Sequence, residues 1–188
     1  MPILKNKKAA MEMSVGTMVT IVLLMSVLIL GIVLIKSIFS SAKGAIDLTD
    51  EQLKEELDKI FSEEQKLAIY PRTRYVGIKQ GDLEGVGFGI KNLIEGSAAT
   101  KKFHYKVEVS DPNLQKKCGV RVLEVESWIT TGKEEGNIPI PPGDFSSQKV
   151  LFNIPLGSPL CTIRFRVNVD VDGTAYATNF FDVNIKAK

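Results

Sequence analysis

The longest hydrophobic pattern in the chain is the uncharged stretch from Met13 to Ile35, which is mostly Val, Leu, Ile and Met. A hydrocarbon core of roughly 30 Å is crossed by about 20 apolar helical residues at about 1.5 Å each. Backbone groups in lipid must be bonded within their own segment, so the stretch predicts a helix over 13–38. Hydroxyl groups within it, such as those of Thr20 and Ser26, are tolerated because they bond back to the previous turn.

A second, amphipathic pattern follows in residues 39–71 and predicts a small-residue hinge and then a linker helix. Thr49 and Gln52 form a capping-box sequence at the start of this helix, and Pro71 is expected to end it. The apolar stripe consists of Leu53, Leu57, Ile60, Phe61 and Leu67. We expect the stripe to pack on the chain's own β-domain or on that of a neighbour, since the polar face is acidic and therefore unsuited to a membrane surface.

From Arg72 the period changes to two, which is typical of strands with one buried face. The clearest alternation runs over 103–109 and 163–171, and Asp172-Gly173 then predicts a hairpin into a return strand over 174–186. Further strands are predicted over 75–79, 85–92, 119–130 and 148–154. The predicted fold is therefore mainly β: an N-terminal apolar helix followed by an antiparallel, immunoglobulin-like β-sandwich over 72–188.

Three short motifs in the β-region resemble chemical sites but have simpler structural interpretations. The alternating glycines of 85–89 lack the context of a phosphate loop and favour close approach of a ring or backbone, or pairing with another subunit. Asn168, Asp170 and Asp172 mimic half of a calcium loop whose bidentate position is Asn179, so we favour a hairpin. The Pro-rich segment 138–143 is interpreted as a loop that blunts a sheet edge or forms a recognition tip.

The two cysteines, Cys118 and Cys161, are predicted to lie in phase with buried strand residues on facing strands. Two inward cysteines in a domain outside the membrane indicate a disulfide, with free thiols or a metal pair as alternatives. A metal would need more ligands, and the single histidine, His104, is predicted to lie on a solvated strand face. We expect no metal, no cofactor and no catalytic residue, and hence no enzymatic activity.

Charge is distributed unevenly along the chain. Residues 1–46 carry five Lys against one Glu, whereas the remainder carries 19 basic and 21 acidic residues. Lys before the apolar stretch favours a cytoplasmic N-terminus, with residues after about 40 outside the cell. The nearly neutral remainder has no basic field for phosphate, so we expect no nucleic-acid partner, and we expect no small-molecule substrate.

The N-terminal segment 1–12 is a short basic leader, in which Lys8 and the small residues Ala9 and Ala10 precede Glu12 at the mouth of the apolar helix. This arrangement resembles the N-terminus of type IV pilin-like proteins, especially archaeal pilins and archaellins. The resemblance implies cleavage after Ala9 and a filament core of packed helices, in which Glu12 would make an assembly contact. The other interpretations are a plain signal anchor, with Glu12 facing water, and a signal sequence cut before Lys43.

These patterns together predict a membrane-anchored cell-surface structural protein of the pilin-like class. We expect it to associate with itself through the N-terminal helix and to contact cell-envelope proteins. The alternative is a monomeric single-pass protein that is similar to archaellum accessory proteins and whose sandwich binds the surface layer.

Overall fold

A computed structural model describes residues 15–40, 47–96 and 99–188. The chain divides into two compact units, Met1–Ser41 and Ala42–Lys188. The first contains helix α1, Val15–Ser40. As predicted, the hydroxyls of α1 bond to its own backbone: Thr20 Oγ1 donates to the Thr17 carbonyl at 2.9 Å and Ser26 Oγ to the Val22 carbonyl at 2.8 Å.

The second unit is a two-sheet sandwich, and the predicted immunoglobulin-like β-sandwich fold is confirmed. One sheet has the order β1-β3-β7-β5 and the other the order β2-β9-β8-β4-β6. Neighbouring strands are antiparallel except for β2 and β9, which run parallel. The strands are β1 Leu67–Tyr70, β2 Tyr75–Lys79, β3 Leu83–Lys91, β4 Lys101–Val109, β5 Ile129–Thr131, β6 Glu134–Ile140, β7 Phe145–Asn153, β8 Thr162–Val171 and β9 Thr174–Lys186.

The core lies between the two sheets and is built from the alternating residues of their strands. Phe103, Tyr105 and Val107 of β4 are buried, as the period of two predicted. Aromatic rings from both sheets meet in the centre, where the ring centroids of Phe152 and Phe165 are 5.0 Å apart. The predicted hairpin is also present, since Asp172 and Gly173 join β8 to β9 with φ values of 52° and 77°, the left-handed pair that tight hairpins use.

The linker helix α2 spans Asp50–Ile60 and begins with the predicted capping box. The Gln52 N–H donates to Thr49 Oγ1 at 3.3 Å, and the Thr49 N–H donates to Gln52 Oε1 at 3.0 Å. The prediction that the helix continues through Leu67 to Pro71 is wrong, because Leu67–Tyr70 forms β1 and pairs with β3. The hydrogen bonds of that ladder and the burial of Leu67 in the core outweigh the local helical pattern.

The apolar stripe of α2 packs on the outer face of β3, where the glycines make room for it. A Cβ at Gly87 would lie 2.4 Å from Leu53 Cδ1, and one at Gly89 would lie 2.6 Å from Phe61 Cε2. The interpretation that these glycines admit a bulky ring is therefore confirmed, as is packing of the stripe on the chain's own sandwich. Pairing of the glycine strand with another subunit is excluded, because β3 lies between β1 and β7.

Residues 114–131 differ most from the sequence prediction. The predicted strand over 119–130 is wrong: the segment holds helices α3, Leu114–Cys118, and α4, Val122–Glu126, before the short β5. Gly119 ends α3 with φ +72°, a left-handed C-cap conformation that glycine adopts without strain. The alternation of apolar and polar residues in the sequence does not match burial here: Val122 and Leu123 are exposed, whereas Val125 is buried.

The Pro-rich segment also differs from its predicted loop. Residues 134–140 form β6, the edge strand beside β4, with Ile138 and Ile140 buried. Pro139 lies in this edge strand, where its missing N–H costs no hydrogen bond to an inner neighbour. The proline therefore lies at a sheet edge, as predicted, but within an edge strand instead of a loop.

Candidate functional site

The apolar helix α1 contains a candidate membrane span, Gly16–Leu34, with a mean hydropathy of 2.8. None of this window is buried. A run of exposed Leu, Ile, Val and Met of this length is far larger than the apolar patches that soluble proteins expose. Residues 1–14 and the hinge residues 41–46 lie outside the described residues, so the predictions for Lys8, Ala9, Ala10 and Glu12 stay predictions.

The structure brings the two predicted cysteines together, although on different elements from those expected. The sulfur atoms of Cys118 and Cys161 are 2.24 Å apart and their Cα atoms 5.8 Å apart. The prediction that Cys118 lies on a strand is wrong, because it is the last residue of α3, while Cys161 immediately precedes β8. The pair therefore ties a helical segment at one end of the sandwich to the beginning of a central strand.

His104 lies on the outer face of β4, as expected, but between two carboxylates that the sequence did not reveal. Its Nδ1 is 2.8 Å from Asp170 Oδ1 on β8, and its Nε2 is 3.0 Å from Glu134 Oε1 on β6. The hydrogen bond to Asp170, helped by that to Glu134, raises the pKa of His104 above its ordinary 6.5 against the opposing effect of partial burial. Both ring nitrogens are engaged, so the cluster joins three strands.

The carboxylates and amide of the calcium-like motif do not converge. Asp170 bonds to His104, while Asn168 donates to Glu108 and accepts from Thr178. Within 15–40, 47–96 and 99–188, no group of three or more His, Cys, Asp or Glu side chains is placed to hold a metal ion.

The outer face of the five-stranded sheet presents exposed aromatic rings among cations, and we call this the basic-aromatic face. Its members are Arg74, Tyr75, Lys79, Arg164, Phe180 and Lys186, and the carboxylate of Asp182 lies among them. Arg164 makes a bidentate pair with Asp182 at 2.8 and 3.0 Å. A groove of about 310 Å³ runs between Arg74, Arg164 and Phe180.

Local sequence patterns did not reveal this face, although one signal for it was present. Phe180 and Phe181 are adjacent in one strand, so one of the two rings must face outward. The cations come from strands separated by about a hundred positions, and only the parallel pairing of β2 with β9 places them side by side.

On the opposite side of the sandwich, α2 presents the predicted acidic surface. Glu51, Glu55 and Asp58 border a groove of about 430 Å³ beside Phe145. Lys54 Nζ lies 5.4 Å from the centre of the Phe145 ring. We call this group of carboxylates and the ring beside them the acidic groove.

Comparisons with known proteins assign neither a family nor an activity to the chain. No protein-family model matches the chain, and a search of curated proteins finds no match. Among solved structures, the CARDB domain of the PF1109 protein from Pyrococcus furiosus is similar at 13% identity and a TM-score of 0.39, over 68% of this chain and 99% of that one. A protein of unknown function from Porphyromonas gingivalis is similar at 12% identity and a TM-score of 0.38, over 65% and 48% of the two chains.

A Niemann-Pick type C2 protein from the Japanese carpenter ant is also similar, at 13% identity and a TM-score of 0.37, over 65% of this chain and 90% of that one. Similarities of this size carry no argument about binding or catalysis. The chain is a mainly β protein with an N-terminal apolar helix and an immunoglobulin-like β-sandwich.

Proposed function

We propose that this protein is a membrane-anchored cell-surface structural protein of the pilin-like class. Its apolar helix inserts into the membrane or packs in a filament core, and its β-sandwich is displayed outside the cell for assembly or adhesion. The observation that carries the proposal is the apolar window Gly16–Leu34 of α1, none of which is buried. Its 19 residues make a helix of about 29 Å, which matches a hydrocarbon core of roughly 30 Å.

The cysteine pair supports placement of the sandwich outside the cytoplasm. Cys118 and Cys161 stand at bonding distance within the sandwich unit. Disulfides persist in oxidising compartments and are rare in the cytosol. The N-terminal lysines favour the same orientation, with the leader inside and the sandwich outside.

A second candidate, the monomeric anchored accessory protein, is favoured by the packing of α2. Leu53 and Leu57 are 1% and 0% exposed within a single chain. The sandwich therefore covers its glycine strand with its own helix and needs no neighbour to complete that layer. In this form the protein is one self-sufficient domain on one anchor, and electron microscopy of expressing cells separates it from a filament.

The anchoring proposal is tested by carbonate extraction of membranes from cells that express the full chain. Leu24 and Leu28 lie near the middle of the window, and each change to Arg costs about 3 kcal/mol of insertion. We expect the wild type and the Leu24→Ile/Leu28→Ile control to stay in the membrane pellet. Leu24→Arg/Leu28→Arg is expected to leave it, and a wild type that washes off with carbonate contradicts the anchor.

The processed form is tested by the intact mass of the mature protein. The pilin-like proposal expects the loss of residues 1–9 and a chain that starts at Ala10. An uncut chain from Met1 to Lys188 contradicts processing after Ala9 but does not contradict the membrane anchor.

A further inference from the structure

Charge is segregated between the linker helix and the sandwich that it covers. Residues 47–64 carry eight acidic and two basic side chains, a balance of −6, whereas residues 65–188 carry 17 basic and 13 acidic side chains, a balance of +4. The helix lies on the outer face of the four-stranded sheet, and the basic-aromatic face is the outer face of the other sheet. The exposed surface of α2 is therefore acidic, while the basic-aromatic face carries four cations against the carboxylate of Asp182.

The basic-aromatic face has the composition of an interface rather than of an ordinary solvated surface. Tyr75 and Phe180 are 43% and 41% exposed, and aromatic residues and Arg are the types enriched in interface cores. Arg74 donates to the amide oxygen of Asn179 at 3.0 Å. Within the described part of the chain it has no carboxylate partner.

Two lysines extend this positive surface along the same sheet edge. Lys79 and Lys186 are opposite each other in the β2–β9 ladder. The Lys186 side chain lies across Gly77, since a Cβ there would be 2.6 Å from Lys186 Nζ. Like charges placed directly opposite each other in a sheet are destabilising, so an acidic partner would relieve the repulsion between them.

We propose that the basic-aromatic face of one copy docks the acidic groove of α2 on a second copy. The two surfaces match in length: α2 has 11 residues and is about 16 Å long, and the strand from Arg74 to Lys79 covers about 16 Å. The carboxylates of Glu51, Glu55 and Asp58 face solvent over about 10 Å of that length, beside Lys54 and the ring of Phe145.

The contact is heterologous, because the two surfaces that meet are different and lie on opposite faces of the sandwich. Each copy keeps one free surface of each kind after docking, so the contact extends into a line of copies unless its rotation closes a ring. The inference rests on the proposed function in one respect: anchoring in the same membrane would bring copies of the chain together. The partner of the sandwich is then a second copy of this chain.

Charge reversal on each surface tests the contact. The acidic-groove variant is Glu51→Lys/Glu55→Lys/Asp58→Lys, and the face variant is Arg74→Glu/Lys79→Glu/Lys186→Glu. A matched control, Asp82→Lys/Glu95→Lys/Glu124→Lys, makes the same charge change at exposed acidic positions outside the groove. All are made in the full chain and studied by sedimentation in a mild detergent, which keeps any contact through α1 common to every variant.

We expect the wild type and the control to form multi-copy assemblies, which dissociate as NaCl rises from about 0.05 to 0.5 M. Each reversed variant alone should associate about tenfold or more weakly. A mixture of the two should restore assembly, because both of its contacts are again complementary. Fluorescence of Trp128, which is buried in the core, reports that each variant is folded.

Three results would overturn the inference: a wild type without assemblies, reversed variants that assemble like the wild type, or a mixture that does not recover. Binding of phosphatidylglycerol vesicles by the face, with sedimentation unchanged by its reversal, would assign that face to lipid headgroups instead. Carbonate extraction of the same variants keeps the two proposals separate. A wild type that stays in the membrane but forms no assemblies contradicts the docking alone, and a wild type that is lost from the membrane contradicts the anchor.

Discussion

The packing of α2 on the glycine strand makes a quantitative prediction for Leu57→Ala. Leu57 is 0% exposed, and its Cδ1 would lie 3.5 Å from a Cβ at Gly89. An isolated helix of 11 residues is marginal in water, so α2 depends on this packing. Removing a fully buried leucine side chain costs its transfer free energy and leaves a cavity, about 3 kcal/mol in total.

The assay is urea unfolding of the full chain in mild detergent, followed by the fluorescence of Trp128, the single tryptophan. With a slope of about 2 kcal/mol/M, the unfolding midpoint should fall by about 1.5 M. The matched control is Glu55→Ala, an exposed position on the same helix. If Leu57→Ala unfolds within about 0.5 kcal/mol of that control, then α2 is not an integral layer of the sandwich.

Two further predictions concern the cysteine pair and the histidine cluster. Cys118 and Cys161 close a loop of 43 residues. Reduction of the pair, or serine at both positions, should therefore lower the free energy of unfolding by about 4 kcal/mol in urea titrations. An unchanged unfolding midpoint would contradict a bond between the two cysteines. The pKa of His104 is raised in the folded state by Asp170 and Glu134, so this stabilisation is complete below pH 6.5 and is lost as the pH rises through the raised pKa. The Tm difference between wild type and His104→Gln should therefore be larger at pH 6 than at pH 9, and an equal difference at both would refute the cluster's role.

Elements with a strong local pattern were predictable from the sequence. The capping box at the start of α2 needs only the four residues from Thr49 to Gln52, and the Asp172-Gly173 turn needs only two. The alternation in β4 and β8 reports burial on one face of a sheet, and it requires no knowledge of which strands are neighbours. The apolar helix α1 likewise could be predicted from length and composition alone, because it requires no contact with a distant segment.

The features that sequence reasoning missed depend on contacts between distant segments. Leu67–Tyr70 becomes a strand because β3 offers it an edge, although the local pattern continues the helical stripe. The carboxylates around His104 come from 30 and 66 positions away. The basic-aromatic face likewise exists only after β2 pairs with β9, so neither surface could be assembled from local periodicity.

The segment between Leu114 and Thr131 shows a different source of error. Its alternating apolar letters fit a strand, yet two short helices separated by Gly119 close the end of the sandwich. Short apolar runs do not distinguish a strand from a helix by periodicity alone. The cysteine pair nevertheless forms there, because the end of α3 lies beside Cys161 at the start of β8.

Epitope accessibility on intact cells that express the full chain distinguishes a sandwich anchored outside the membrane from one that faces the cytoplasm. The C-terminal residues after β9 are exposed, so an epitope placed after Lys188 does not disturb the core. If the sandwich lies outside the membrane, antibody binds this epitope on intact cells, while an epitope inserted in the leader before Lys5 is bound only after permeabilisation or is lost with the leader. A C-terminal epitope that becomes accessible only after permeabilisation would contradict this placement of the sandwich.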